Sequence, residues 1–441
     1  MVEGRIAIRP SDFLEETMAP PCTLFYGWVV TACAFSVLFL TYGVQYSFGV
    51  FLPAMLDELG WKRADIAGAF SLYTMVYSGC SWLSGRFTDT KGPNVVIAVG
   101  GLLLGCGIIA TSMMSVRWHM YLFYGLIAAL GMSTAFIPCN TTVVKWFQRK
   151  RGLALGLASS GSSCGILACP PLMAALIAHY GWRPVYLSCG IVILVILNVV
   201  ARFMVRSPEL LGLAPDGDPP PVTPIASAQA ASASLSQPPT SVAPLTGWSL
   251  QEAWSLPSFW LLAVVFVVML MTVPVPFVHV VSFARDLGFS PAQGALAVSI
   301  MGLCAFIGSM LLGPLSDRIG RKRGLILSLV MQVVAFLLFL AARSLTVLYA
   351  GAAAFGFFYG SMATLFSALV GDFFGRRHAG SISGFLFASS GILGAWGPMI
   401  AGYLRDATGS YQFAFTCAVA TSATALLLFL VTPKPPPYPS H

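Results

Sequence analysis

Ionisable side chains are almost missing from the apolar stretches of this 441-residue sequence, and His279 is the exception. No Asp, Glu, Lys or Arg lies deep inside any of these stretches. Histidine changes its charge in the physiological pH range, so it can pass a proton through an apolar environment. We therefore predict that His279 contributes to proton coupling and to substrate binding. The alternative is a structural histidine that donates a hydrogen bond to a carbonyl group of a neighbouring helix.

Hydroxyl and amide side chains within the apolar stretches are candidates for binding a small molecule. Tyr42, Gln45 and Tyr46 have helical spacing and share one helix face. Pro274 and Pro276 should break the helix that carries His279, and broken helices expose backbone groups near binding sites. Further predicted substrate contacts are Asn140, Tyr359 and Ser361. The alternative for each polar residue is a hydrogen bond between helices or an anchor at the membrane interface.

Sequence signatures of catalysis and of cofactor binding are absent. We find no paired carboxylates, no glycine-rich phosphate loop with a lysine, and no nucleophile with an adjacent base. The ten cysteines show neither metal-ligand spacing nor a paired framework, so we interpret them as small apolar packing residues. We predict no catalytic residue, no metal and no cofactor.

The composition indicates that lipid is the main solvent of the elements that carry these residues. Charged residues make up 9% of the sequence, against about 25% in soluble proteins, and apolar residues make up 57%. Twelve uncharged apolar stretches have about the 20 residues that a helix needs to cross a bilayer. We predict an all-α membrane protein with twelve transmembrane helices. The same composition excludes soluble, disordered, collagen-like and coiled-coil proteins.

The net charge of +8 follows from membrane topology and does not indicate nucleic-acid binding. With twelve spans, both termini lie on one side of the membrane. That side carries 17 of the 24 lysine and arginine residues. Because positively charged loops stay in the cytoplasm, we predict cytoplasmic termini in a multi-pass protein of the cell membrane.

The chain is a tandem repeat of two six-helix halves. A shift of 228 positions superposes Asp89 on Asp317 and Tyr121 on Tyr349, without gaps across most of six spans. Such halves are related by an axis along the membrane normal, with a pathway between them. The predicted parts are an N-terminal tail at 1–21, a first half at 22–206, a flexible cytoplasmic linker at 207–252, a second half at 253–433 and a C-terminal tail at 434–441.

Two repeat-related loops carry the same motif. The loops at 85–94 and 313–323 each read glycine, three residues, aspartate, and a glycine three residues later. They resemble the signature loop of the Major Facilitator Superfamily, although the first loop has Pro93 where a basic residue is usual. Glycine lets helices approach closely, and aspartate can cap a helix or pair with arginine, so we predict a conformational latch. Its predicted residues are Gly85, Asp89, Gly313, Asp317, Arg318 and Arg321. The alternative is a loop that only keeps positive charge inside.

Two further segments narrow the resemblance. The sequences FYGWVV at 25–30 with SFGVF at 47–51, and WFQRKRGLALGLASSG at 146–161, are similar to the signature segments of the monocarboxylate-transporter-like branch. The resemblance covers the chain except for the N-terminal tail and the linker. It implies the twelve-helix fold, alternating access between the two sides, and small organic anions as substrates, often moved together with a proton.

The sequence departs from that branch at two positions. Ser309 stands where similar transporters carry an arginine in span 8, and Tyr46 stands where they carry a lysine in span 1. A neutral cavity favours a larger, partly apolar substrate that hydroxyls, amides and ring stacking would hold. We predict a monomeric secondary transporter of a small organic anion, with Ser309 as a substrate contact. The alternatives are an exporter of apolar or amphipathic compounds and a transporter-like receptor.

Overall fold

Twelve long helices form the molecule. The computed structural model describes residues 25–147, 150–214, 216, 248–375, 379–433 and 435–436, and their regular structure is helical. The helices are α1 (Tyr26–Leu59), α2 (Arg63–Lys91), α3 (Pro93–Ser112), α4 (Arg117–Trp146), α5 (Arg151–Tyr180), α6 (Trp182–Ala201), α7 (Pro257–Asp286), α8 (Pro291–Ile319), α9 (Arg321–Ala341), α10 (Leu345–Phe374), α11 (Ala379–Gly394 and Gly397–Thr408) and α12 (Gln412–Val431).

Eleven of the described helices are long and apolar enough to cross a membrane. The remaining helix, α2, is long enough at 29 residues but contains more small polar side chains. A helix satisfies all its backbone hydrogen bonds internally, which is why such segments are helical in lipid. The chain is a multi-pass membrane protein, and the predicted all-α, twelve-helix fold is confirmed.

The two halves repeat one packing scheme. In the first half α1 packs on α5, α2 on α4 and α3 on α6, and the second half repeats these pairs as α7 with α11, α8 with α10 and α9 with α12. A hydrogen bond recurs as well. The Tyr121 hydroxyl donates to the Asp65 carbonyl oxygen at 2.9 Å, and the Tyr349 hydroxyl donates to the Gln293 carbonyl oxygen at 3.2 Å. The two donors are 228 positions apart, and so are the two acceptors, as the sequence repeat predicts.

Helices α1 and α7 are broken at matching depths. The first breaks at Ser47, whose hydroxyl donates to the Gly43 carbonyl oxygen at 2.7 Å. The second breaks at Val273, directly before Pro274, as the sequence predicts. Proline removes a backbone donor and clashes with the preceding turn, so the helix must restart there. The halves of α1 and α7 after these breaks pack against each other across the two domains.

The predicted linker is ordered at both ends. Pro208 is buried in a short 3-10 helix, Pro208–Leu211, and the Lys150 amide donates to the Asp216 carboxylate at 3.3 Å. At the other end the Trp248 amide donates to the Phe374 carbonyl oxygen at 2.8 Å. These ends of the linker therefore contact both halves, through Lys150 of the first and Phe374 of the second. The tail at 1–21 and residues 217–247 lie outside the described residues.

The two halves meet along three helix pairs. Helix α5 packs on α8, α2 packs on α11, and the second part of α1 packs on the second part of α7. We call the side where α1 begins and α12 ends the terminal side, and the opposite side the far side. The α1–α7 contact is tight, since a Cβ atom at Gly49 would collide with the Phe277 carbonyl oxygen. This contact closes the far side.

Candidate functional site

Four tyrosines meet at the centre of the molecule. We call Tyr42 and Tyr46 of α1, Tyr77 of α2 and Tyr359 of α10 the tyrosine cluster. The hydroxyls of Tyr42 and Tyr77 are 3.1 Å apart, and those of Tyr46 and Tyr359 are 2.6 Å apart. The first pair lies within the N-terminal half, whereas the second joins the two halves. Tyr77 was not among the sequence predictions, and its position on an apolar helix gave no signal of its partner.

Aromatic rings line the cluster. Phe277 packs on Tyr46 with ring centroids 4.2 Å apart and on Tyr359 at 5.1 Å. Phe136 of α4 packs edge-on against Tyr42, with centroids 6.4 Å apart. Phe136 is nevertheless 41% exposed, whereas Tyr46 is 9% exposed. Phe136 therefore keeps exposed ring surface next to Tyr42, whereas the contact between Tyr46 and Phe277 encloses the cluster nearer the far side.

The cluster is neutral and rich in hydrogen-bond donors. Each tyrosine pair uses one hydroxyl hydrogen internally, so each pair keeps one O–H group that can donate elsewhere. Gln45 shares the helix face of Tyr42 and Tyr46 and is 6% exposed. The Gln45 Oε1 atom is buried and has no hydrogen-bond partner among the described residues. Such a site can bind a carboxylate through hydroxyl donors and an apolar body through the rings.

The other predicted contacts lie farther from the cluster or bond within their own half. Asn140 accepts a hydrogen bond from the Ser159 hydroxyl at 3.2 Å and donates to the Phe136 carbonyl oxygen, one turn from the Phe136 ring. Ser309 donates to the Phe306 carbonyl oxygen of its own helix at 2.8 Å. Ser361 is fully buried, and its hydroxyl is 2.8 Å from that of Ser328 on α9. The structure does not bring Ser361 to the cluster.

His279 is enclosed within the C-terminal half and is fully buried. Its Nε2 atom is 2.8 Å from the Pro398 carbonyl oxygen, and its Nδ1 atom is 3.0 Å from the Tyr411 hydroxyl. A carbonyl oxygen only accepts, so Nε2 carries the hydrogen and Nδ1 accepts from Tyr411. The contact with Pro398 is of the kind expected of a structural histidine, which donates a hydrogen bond to a carbonyl group of a neighbouring helix.

The two predicted latch loops have the same backbone turn. Gly92 and Gly320 both have φ of +91°, a region that favours glycine. A Cβ atom at Gly85 would lie 3.1 Å from Ile137, so this glycine permits a close approach of α2 to α4. Arg321 pairs with Asp372 at the end of α10 at 3.4 Å, within the C-terminal half.

Arg318 in the second loop is exposed. The side chains of Asp89 and Asp317 and residue Gly313 lie outside the described part, so the aspartate contacts of the latch remain predictions.

A network of charged side chains joins the halves on the far side. Arg63 of α2 lies 3.5 Å from Asp286 of α7 and 3.9 Å from Asp406 of α11. Arg405 also binds Asp286, at 2.7 Å. The sequence analysis missed this network because these residues stand at the ends of apolar stretches, where charge is ordinary. Among the described residues, no group of three or more His, Cys, Asp or Glu could hold a metal ion.

Comparisons with known proteins agree with this architecture. The family model of the Major Facilitator Superfamily matches residues 34–283 and 260–441. Monocarboxylate transporter 13 of Bos taurus is 28% identical over 90% of this chain and 86% of its own. Monocarboxylate transporter 11 of Homo sapiens is 26% identical over 96% and 87%.

Solved structures share the fold. A bacterial homologue of the human lysosomal transporter Spinster, in an inward-facing conformation, has a TM-score of 0.70, with 14% identity over 92% of this chain and 97% of its own. A nucleoside transporter has a TM-score of 0.67, with 13% identity over 91% and 99%. The family match spans both halves of the repeat. The chain therefore belongs to the Major Facilitator Superfamily, and within it resembles the monocarboxylate transporters.

Proposed function

We propose that this protein is a secondary active transporter that moves a partly apolar organic carboxylate across the cell membrane. The observation that carries the proposal is the tyrosine cluster at the interface of the two halves. Its free hydroxyl donors suit a carboxylate, and Phe136 and Phe277 suit an aromatic or aliphatic body. The names of the similar monocarboxylate transporters support the same substrate class.

The contacts between the halves support alternating access. The Tyr46–Tyr359 hydrogen bond and the Arg63 ion pairs hold the far side closed, while Phe136 is accessible next to Tyr42. Opening of the far side requires these contacts to break, and closure of the terminal side would then enclose the substrate. The excess of basic residues places the terminal side in the cytoplasm in this proposal, so the described state is inward-facing.

Proton coupling is a second part of the proposal, and His279 would carry it. If Nδ1 gained a proton, the Tyr411 hydroxyl could turn and accept from it, and Nε2 could keep its bond to Pro398. The Tyr411 ring centroid lies 5.8 Å from the Arg405 guanidinium, which also binds Asp286. A charge on His279 would therefore act next to the far-side network.

The test of the substrate site uses purified full-length protein and 3-phenylpropionate as a probe. The double variant Tyr46→Phe/Tyr359→Phe should raise the Kd about tenfold or more, because it removes the O–H donor of this pair and a hydrogen bond to a charged group contributes roughly 1.5–3 kcal/mol. Tyr124→Phe is the matched control, since the Tyr124 hydroxyl is buried without a partner among the described residues. It should change the Kd less than about twofold. Unchanged affinity in the double variant would refute the site.

Counterflow in proteoliposomes tests the transport activity, because a receptor binds the probe but does not exchange it. Binding of the methyl ester of the probe distinguishes the proposed carboxylate transporter from an exporter of apolar compounds. An exporter of apolar compounds would bind the ester as tightly as the acid, whereas the proposed carboxylate site would bind the acid more tightly.

A further inference from the structure

Gln45 is the polar side chain of α1 whose hydrogen bonding is incomplete. It shares a helix face with Tyr42 and Tyr46 and is 6% exposed. Its Oε1 atom is buried and has no partner among the described residues. Gln332 also has a buried Oε1 atom without a partner among the described residues, but its Nε2 atom donates to the Thr272 hydroxyl at 2.7 Å within the C-terminal half. Gln45 therefore leaves an acceptor unused on the helix face that carries Tyr42 and Tyr46.

A buried acceptor without a partner favours any molecule that supplies one. Buried polar groups in proteins are nearly always hydrogen-bonded, and an unsatisfied group costs free energy that a matching ligand recovers. Each tyrosine pair keeps one free O–H group, but neither lies within hydrogen-bonding distance of Gln45 Oε1. A ligand that fills the cluster is thus the natural source of the missing donor.

We infer that the substrate carries, besides its carboxylate, a hydroxyl or N–H group that donates to Gln45 Oε1. This inference rests on the proposed function and narrows it to donor-bearing, partly aromatic carboxylates. The tyrosine hydroxyls would bind the carboxylate, the rings would hold the apolar body, and Gln45 would discriminate between acids with and without the donor. A site that is built for a donor rejects an analogue without it strongly, because its buried acceptor then stays unpaired.

The experiment measures by calorimetry the affinity of the full-length protein for 3-phenylpropionate, for 2-hydroxy-3-phenylpropionate and for 3-(4-hydroxyphenyl)propionate. The methyl ethers of the two hydroxy acids are measured in the same way. At least one hydroxy acid should bind roughly fivefold to 150-fold more tightly than the parent acid, and its methyl ether should lose the gain. In Gln45→Leu, the ratio of the affinities for the hydroxy acid and the parent acid should fall to about one. Gln332→Leu is the control and should keep the preference.

The outcomes separate the two proposals. If the parent acid binds but no hydroxy acid binds more than twofold more tightly, the inference is wrong and the carboxylate site stands. A preference that persists in Gln45→Leu also overturns it. If no acid binds, the proposed function fails and the inference fails with it. If Gln45→Leu does not fold, the comparison of the parent acid with the hydroxy acids in the unaltered protein can still overturn the inference.

Discussion

Arg63→Gln should loosen the closure of the far side. Arg63 is the residue of the N-terminal half that contacts both Asp286 and Asp406, at 3.5 and 3.9 Å, with side chains 20–24% exposed. Partly exposed ion pairs contribute about 0.5 kcal/mol each, so the loss of both is about 1 kcal/mol. That energy corresponds to about a fivefold shift towards the state with the far side open. The substitution leaves no carboxylate unpaired, because Asp286 keeps Arg405 and Asp406 keeps the Ala64 amide.

The assay measures the distance between spin labels at Met113 and Arg343, which lie in exposed far-side loops of different halves. Arg63→Gln should increase the population with the longer distance about fivefold, and higher salt should shift the parent protein in the same direction. Arg117→Gln is the matched control, since Arg117 pairs with Asp65 within the N-terminal half at 3.4 Å. Identical distance distributions in Arg63→Gln and the parent, or an equal shift in the control, would refute the reasoning.

Three further predictions follow from the loops, the linker and the buried histidine. Asp317→Asn should slow counterflow but leave the probe Kd within a few-fold, and a large loss of affinity at unchanged turnover would contradict a latch. Deletion of 226–237 should leave the melting temperature within about 2 °C, whereas Ser249→Ala should cost about 1 kcal/mol because Ser249 forms a capping box with Glu252; aggregation of the deletion variant would count against this. His279→Gln should lose accumulation driven by a pH gradient but keep exchange at equal pH, and Tyr411→Phe should behave similarly. If His279→Gln concentrates the probe like the parent protein, His279 has only a packing role.

Sequence reasoning named three of the four tyrosine-cluster residues but not their contacts. Tyr42 and Tyr46 share a face because helical periodicity is local, but the partner of Tyr46 lies 313 residues away. Ser361 was predicted as a polar residue within an apolar stretch, and its hydroxyl lies next to that of Ser328 between α9 and α10. In a bilayer both the lipid-facing and the packed faces of a helix are mostly apolar, so the hydrophobic pattern does not reveal which polar side chain points to a cavity and which to a neighbouring helix.

The sequence by itself determined the twelve helices, their division into two repeats and the break at Pro274, because length, hydropathy and proline act locally. Only the tertiary structure decided which side chains meet. It joined Tyr46 to Tyr359 and Arg63 to Asp286, and it gave both ring nitrogens of His279 a partner. These contacts depend on the rotation of each helix and on the approach of two halves. Packing sets that geometry over distances that no local pattern encodes.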